Sequence, residues 1–439
     1  MSFGICSGLP GRIALVIFAL YLAGCATYSQ QAVSMRDNLL SGRVDLARET
    51  AEEKDQDEDD VLASLNKGML RRMTEDYVGS NRVFEIAKQR MEALYGVSIT
   101  DSAASITIND AVRAYKGDRY EQVLVHAYMA MNYLQLGKPD SARVEMLQAD
   151  VKMMEWGEQP DEDPFVRYFA GMIYESLGED DQALVSYRKA RDIYEATRGE
   201  NLDDVPLMLQ KDLLRLLAAL GMKDEYRELR SGFGLPGFEP AEHGSDHGEL
   251  IVVLNSGLAP IRTESSIMTF SSDVQANVRV AFPVYATGPR PAKRGRLNIG
   301  GRLVELETVE NIDRLARAAL DEDMPAVMAR AVARAVVKYQ SQKQANEQHA
   351  LAGFLLTVTN LATERADTRS WTTLPKEIQV ARVMLPAGEH DVRIEIVNPA
   401  GVVVDVIDAG VTISPMQHSF LTRHWIAPVP VATPRADSK

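Results

Sequence analysis

The sequence predicts an α + β multidomain protein. An N-terminal all-α helical repeat array spans residues 25–230 (residues 1–24 being removed), and a β-rich domain follows over residues 248–428. That second domain is expected to be a sandwich-like or mixed sheet with a helical insert at about 309–365, and residues 429–439 form a tail. Three observations predict this layout. Small and aromatic residues recur at fixed offsets in the first half. After Ser231–His247, a stretch with four Gly and two Pro that reads as a linker, the apolar period changes from helical to alternating. Charge changes at the same place. The 439 residues carry a formal net charge of −14. From Cys25 to His247, 26 basic residues stand against 42 acidic ones, and from Gly248 onward 21 stand against 20. So acidic a first half argues against nucleic-acid binding.

The chain opens with a polar stretch carrying Arg12, then an apolar run from Ile13 to Leu22, then Leu22-Ala23-Gly24-Cys25. Ten apolar residues rise only about 15 Å as a helix, half a bilayer core, so the segment reads as a signal peptide rather than a permanent span. Leu-Ala-Gly before a cysteine resembles the lipobox of bacterial lipoproteins. The resemblance implies cleavage before Cys25 and acylation of Cys25, with palmitate among the acyl chains. Ala26, where an Asp would signal inner-membrane retention, implies an outer-membrane anchor facing the periplasm. Cys6 leaves with the signal peptide, so no intrachain disulfide is expected in the mature chain.

In the array, Gly171, Tyr174, Gly178, Ala183, Tyr187 and Ala190 stand at offsets 0, 3, 7, 12, 16 and 19. Gly171 lets the first helix of a hairpin pack closely, Gly178 permits the turn, and the small alanines admit the second helix while the tyrosines fill between. The same offsets give Ala130, Tyr133, Gly137, Ala142, Met146 and Ala149, with Pro139 opening the second helix. From Gly68 they give Arg71, Glu75, Ser80, Phe84 and Ala87. This pattern resembles the tetratricopeptide repeat. Gly42 with Ala47 suggests a partial copy before these, and Leu214, Leu217, Gly221 and Tyr226 a degenerate one after, as terminal copies often are.

Beyond the linker, Glu249–Asn255, Val278–Tyr285, Ile378–Met384, Val392–Val397 and Val402–Ile407 read as strands. Asn311–Ala319 and Pro325 to about Gln348 read as two helices, and Gly295–Gly301 as a hairpin turn. The order of parts resembles an uncharacterised family of bacterial envelope lipoproteins. Two segments carry the resemblance: Tyr120-Glu121 leading to His126 and Met131-Asn132-Tyr133-Leu134, and Ala366-Asp367-Thr368-Arg369-Ser370-Trp371 before Leu374-Pro375. It implies an architecture and no activity.

Stacked helical pairs generate a concave surface lined by each pair's first helix. Its expected groove positions are Leu65, Met69 and Arg72; Leu124, Met131 and Leu134; and Phe165, Tyr168 and Met172. A periplasmic or membrane protein is the partner expected there, with Met suited to an adaptable surface. A basic patch is expected from Arg290, Lys293, Arg294, Arg296 and Arg302, either as a solvated strand tip or as a contact for an anionic surface. His243 and His247 sit in a Gly-rich stretch with no third ligand, so no metal site is assigned. Asp55, Asp57 and Asp59 lack the Gly and Glu of a calcium loop and read as a solvated connection, with Asp59 or Asp60 capping the next helix. No triad or phosphate loop is present, so neither catalysis nor a cofactor is assigned. The expectation is a membrane-anchored interaction scaffold or regulator in the cell envelope, with peptidoglycan synthesis or outer-membrane assembly the first places to look. The alternatives are a cell-wall or glycan hydrolase using carboxylates such as Glu305 and Glu307, and a lipid or small-ligand binder.

Overall fold

In the computed structural model the described residues are 33–52, 60–98, 114–157, 162–241, 244–272, 276–286, 293–348 and 365–426. The signal peptide, Cys25, Asp55, Asp57, Asp59, His243, Arg290 and the C-terminal tail lie outside them. The chain divides into two units. The first holds residues 1–56 and 426–439. Its described part contains helices α1 (33–40) and α2 (Val44–Glu52), joined through Gly42 at φ +72°.

The second unit, Asp57–Trp425, contains both the helical array and the β-rich part. Four hairpins build the array: α3 (Val61–Met73) with α4 (Tyr77–Ser98), α5 (Arg119–Gln135) with α6 (Pro139–Glu155), α7 (Pro164–Ser176) with α8 (Asp180–Ala196), and α9 (Leu207–Ala219) with α10 (Lys223–Gly232). Each hairpin packs its two helices against each other, and neighbouring hairpins pack in series. Each hairpin turns through one left-handed residue: Glu75 (φ +62°), Gly137 (+67°), Gly178 (+73°) and Gly221 (+71°). Only glycine adopts that conformation freely, which is why three of the four are Gly. Asp60 caps α3, its carboxylate accepting from the amides of Leu62 (2.9 Å) and Ala63 (3.4 Å). The six-residue pattern also has a direct physical basis. A Cβ at Gly171 would stand 2.3 Å from the Tyr187 ring, and one at Gly68 would stand 2.5 Å from Phe84. Offsets 0 and 16 are therefore one contact, a missing side chain on the first helix and a ring on the second.

The β-rich part opens with β1 (His247–Ser256), β2 (Arg262–Ser271), β3 (Ala276–Tyr285), β4 (Arg294–Ile299), β5 (Arg302–Glu305) and β6 (Glu307–Asn311). After α11 (Ile312–Gln348) come β7 (Glu377–Pro386), β8 (Gly388–Val397), β9 (Val403–Ile413) and β10 (His418–Trp425). One sheet has the order β10-β1-β7-β6, with β1 parallel to β10 and antiparallel to β7. A second, antiparallel sheet has the order β5-β4-β8-β9, and β2 with β3 forms a separate hairpin. The two larger sheets stack as a sandwich. Gly295 of β4 lies so near Leu254 and Leu306 that a Cβ would stand 2.7 Å and 3.0 Å from them. Its amide donates to Gln379 Oε1 at 2.7 Å. Residues alternate along β1, so Leu254 faces the second sheet while Glu249 and Asn255 face the array.

Two expectations change. The Gly295–Gly301 stretch is not all turn: 295–299 lie in β4, and only Gly300 (φ +57°) and Gly301 (+90°) make the turn. The inserted helical segment is one helix, with Pro325 inside it, rather than two. Around the expected linker, α10 runs to Gly232, the Tyr226 hydroxyl donates to Phe238 O at 2.8 Å, and β1 begins at His247. Among the described residues no helix is long and apolar enough to cross a membrane.

Candidate functional site

The predicted groove positions fall on α3, α5 and α7, the first helices of three hairpins, and these helices contact β1 and β10 of the chain's own sheet. Leu65, Met69, Leu124, Met131, Phe165, Tyr168 and Met172 are fully buried, Arg72 is 2% exposed, and Leu134 is half-buried. Arg72 Nε donates to His424 Nε2 (3.1 Å) and Nη2 to Thr422 Oγ1 (2.7 Å), both on β10. Gln135 donates to Phe420 O at 2.8 Å, Tyr128 to Asn255 at 3.3 Å, and the Phe169 and Phe420 rings meet edge-on at 6.5 Å. Eight of the nine positions are thus buried within the chain and Leu134 is half-buried, so in this structure they do not form an open surface. The hydrophobic effect favours this burial, since an apolar side chain such as Leu65 or Met69 gains roughly 1.5–3 kcal/mol on leaving water, and the face that β10 turns to the array, Phe420 beside Thr422 and His424, is mixed and pairs its polar groups with Arg72.

The segments Tyr120–Leu134 and Ala366–Pro375 meet at this junction. Glu121, fully buried at the start of α5, accepts from the Trp371 amide (2.8 Å), the Asp118 amide (3.1 Å) and the Tyr115 hydroxyl. Burial pushes its carboxyl up, and Asp118 adds to the push, while these hydrogen bonds limit the rise to about 7. Trp371 lies edge-on to Phe84 and Tyr128, each at 5.8 Å, and its Nε1 donates to Thr373 at 2.9 Å. Asn132 accepts from Arg72 and donates to Ser80 (2.9 Å) and Asn81 (2.7 Å). His126 pairs with Glu145 at 2.9 Å. The residues are arranged as a filled joint between array and sheet.

An open feature among the described residues is a cleft of about 1140 Å³ lined by residues of α9, by Phe238, Pro240, Ala241 and Gly244, and by residues of β5, β6 and β7. Its floor is a charge cluster centred on Arg382 of β7. That guanidinium pairs with Glu175 of α7 (3.1 Å), Asp212 of α9 (2.9 Å) and Glu249 of β1. Arg215 pairs with Glu175, and His418 with Glu249 at 3.1 Å. The Tyr168 hydroxyl donates to Asp212 (2.6 Å) and the Tyr187 hydroxyl to Glu175 (2.8 Å). Burial drives the Glu175 carboxyl up, but Arg382 and Arg215 together outweigh it and hold it at about 2. Glu249 is likewise held well below the usual carboxylate range, chiefly by Arg382 against its burial, while burial wins at Asp212 and raises it.

Around this floor the cleft wall is mixed. Leu207, Met208, Phe238 and Met384 are apolar, and Lys211, Arg294, Arg302 and Glu305 are exposed charges. The predicted basic patch is therefore divided. Arg294 and Arg302 line the cleft, Arg296 is neutralised by Glu395 (2.6 Å), and Lys293 lies over the Trp425 ring at 4.9 Å. Glu307 accepts from the amides of Leu207 (2.6 Å) and Met208 (2.7 Å), capping α9 from the neighbouring strand β6. Among the described residues no group of three or more His, Cys, Asp or Glu is placed to hold a metal. Sequence reasoning missed the Arg382 cluster. The available signal was charge inside apolar runs: Arg382 within Ile378–Met384 and Asp212 within the leucines of α9.

No family model matches the chain, and no curated protein matches it. Among solved structures it is similar to MamA AMB-1, at 16% identity over 48% of this chain and 95% of that one, with a TM-score of 0.29. It is also similar to the Podosopora anserina putative kinesin light chain with nearly identical TPR-like repeats, at 14% identity over 47% of this chain and 93% of that one, with a TM-score of 0.33.

Proposed function

We propose that the protein is a lipid-anchored envelope scaffold, held to the outer membrane through Cys25, that takes an extended segment of a periplasmic or membrane protein in the cleft beside Arg382. The observation that carries the reading is the contrast between two faces: the concave side of the array is filled by the chain's own sheet, while the neighbouring cleft of about 1140 Å³ is open. That volume exceeds what a single drug-sized ligand fills. Its apolar wall with a few unpaired charges at the rim suits a peptide whose side chains alternate in character. The buried cluster beneath supplies rigidity, because each of its members is already paired.

A photoreactive residue placed at Leu207 or Met416, both exposed at the cleft, should give one discrete crosslinked product in whole cells, and one placed at Val185 on α8 should not. The product should be lost with Lys211→Glu and Arg302→Glu combined. Equal crosslinking from Val185, or a product indifferent to both charge reversals, removes the cleft from the reading. Arg72→Ala and Tyr168→Ala, which the sequence pattern alone would choose as groove variants, now report on folding instead, since both side chains are buried.

A further inference from the structure

β6 accompanies β7 for only part of its length. The two pair antiparallel from Asn311↔Glu377 to Glu307↔Val380. Before Glu307 the chain lies in the other sheet, where Arg302–Glu305 form β5 beside β4. On its opposite side β7 is followed throughout by β1, from Ser256↔Glu377 to His247↔Pro386. Among the described residues, 381–386 of β7 are therefore paired with a strand on one side alone.

The register fixes which backbone groups face the open side. Ala387 N donates to Asp246 O (2.8 Å), on the β1 side of β7. Glu249 and Gly257 of β1 donate away from β7, to Gln417 O (2.9 Å) and Trp425 O (2.7 Å). Even-numbered residues of β1 thus point at β7, and odd-numbered residues of β7 point back. Arg382 and Met384 turn their N–H and C=O groups the other way, and there the Met384 carbonyl accepts from Arg302 Nη1 (3.4 Å). Both residues line the cleft. The Arg382 side chain is 5% exposed while the residue as a whole is half-buried, so its backbone is the part that water reaches. A free edge of this kind is a template for another strand. Pro386 ends it, because proline has no N–H to offer, and its carbonyl is already taken by His390 Nε2 (2.8 Å).

Charge selects the strand. Lys211 of α9, Arg294 of β4 and Arg302 of β5 are exposed in the cleft and form no ion pair with a described residue, against one exposed carboxylate, Glu305. The cluster beneath is already paired within itself, so the surplus facing an incoming chain is positive. Successive side chains of a strand point to opposite faces. One set would face α9, which carries Lys211, and the other the second sheet, whose strands carry Arg294 and Arg302.

We infer that the cleft holds its partner by strand addition: an extended segment with acidic side chains pairs its backbone with Arg382 and Met384, continuing the line of β6. The inference rests on the reading of the cleft as a peptide site and specifies what the peptide is and how it is held.

The test uses the mature chain carrying Cys25→Ser and a fluorescent hexapeptide of alternating Val and Glu, with a Val–Lys hexapeptide as control. Anisotropy should saturate with the Val–Glu probe and not with the control. N-methylation of the Val amides or of the Glu amides should weaken binding about tenfold or more in one case and less than about twofold in the other, because only alternate amides face β7. Met384→Pro takes away an N–H that points off the sheet edge, where proline is tolerated; the thermal transition should stay and probe binding should be lost. If that variant fails to fold, the methylation series decides alone. Equal effects of the two methylations, binding untouched by Met384→Pro in folded protein, or no saturable binding of the Val–Glu probe overturns strand addition. Crosslinking from Leu207 in cells that persists in Met384→Pro keeps the cleft as a peptide site and overturns strand addition, whereas no crosslinking from Leu207 in the otherwise unchanged chain removes the cleft itself.

Discussion

Arg382 carries the sharpest prediction. Its side chain is 5% exposed and pairs with Glu175, Asp212 and Glu249. Arg382→Met keeps the aliphatic reach and removes the cation, leaving three buried carboxylates with Arg215 and His418. Breaking a buried pair by removing one partner costs about 3–5 kcal/mol. Proton linkage gives a comparable size. Glu175 is held at about 2 against an ordinary 4.5, because Arg382 and Arg215 overcome its burial; that separation corresponds to roughly 3 kcal/mol. Asp212, raised by burial, acts in the opposite sense and trims the total. The pH dependence has a definite sign. A depressed carboxyl contributes stability that is complete above its unfolded value and is lost as pH falls through 4.5 toward 2, so the wild type loses little between pH 7.5 and 5. Without Arg382 burial lifts the same carboxyls, and the variant gains stability as they take up protons on acidification. Urea unfolding of the mature chain should therefore show a deficit of about 3–5 kcal/mol at pH 7.5 that shrinks by at least about 1 kcal/mol at pH 5. A deficit below about 1 kcal/mol, or one equal at both pH values, would refute the view that the cluster is held by charge.

Three further outcomes are expected. Glu75→Gly relieves a left-handed non-glycine turn at φ +62° and should stabilise by about 0.5–1 kcal/mol, read as a rise in the urea midpoint; a fall would mean that its contact with Arg423 at 3.8 Å outweighs the backbone. Gly171→Ala should lower stability by about 1–3 kcal/mol despite alanine's higher helix propensity, because the new Cβ meets the Tyr187 ring, and Tyr187→Leu in the same background should recover part of that loss. Cys25→Ser should move the protein from the membrane to the soluble periplasmic fraction with its circular dichroism unchanged, and retention in the membrane fraction would overturn the lipid-anchor reading.

The array was legible in the sequence because its cause is local. Gly171 under Tyr187, Gly68 under Phe84 and the glycines at φ near +70° are each dictated by neighbours within about twenty residues. The strands of β1, β3, β7 and β8 were legible for a similar reason, since Val and Ile accumulate where a strand is buried. β2 and β10 were not. Arg262–Ser271 is largely polar, and His418–Trp425 gains its place by pairing in parallel with β1, some 170 residues earlier in the chain. Pro325 marked a helix start by local rules, yet α11 continues through it, supported by the β2–β3 hairpin.

The sequence by itself indicated a helical repeat array and a β-rich part after it, and carries a lipobox-like segment before them. Only the tertiary structure decided what meets the predicted groove positions. Groove periodicity is written into each helix, but whether water, a partner or the chain's own sheet meets the groove depends on contacts between residues as distant as Arg72 and Thr422. The Arg382 cluster has the same origin. Its four principal charges come from α7, α9, β1 and β7, and each appears in the sequence as a lone polar interruption of an apolar run or as one more surface charge. Coulomb attraction in a buried site is strong only at a few ångströms, and no spacing along the chain records which charges the fold will bring that close.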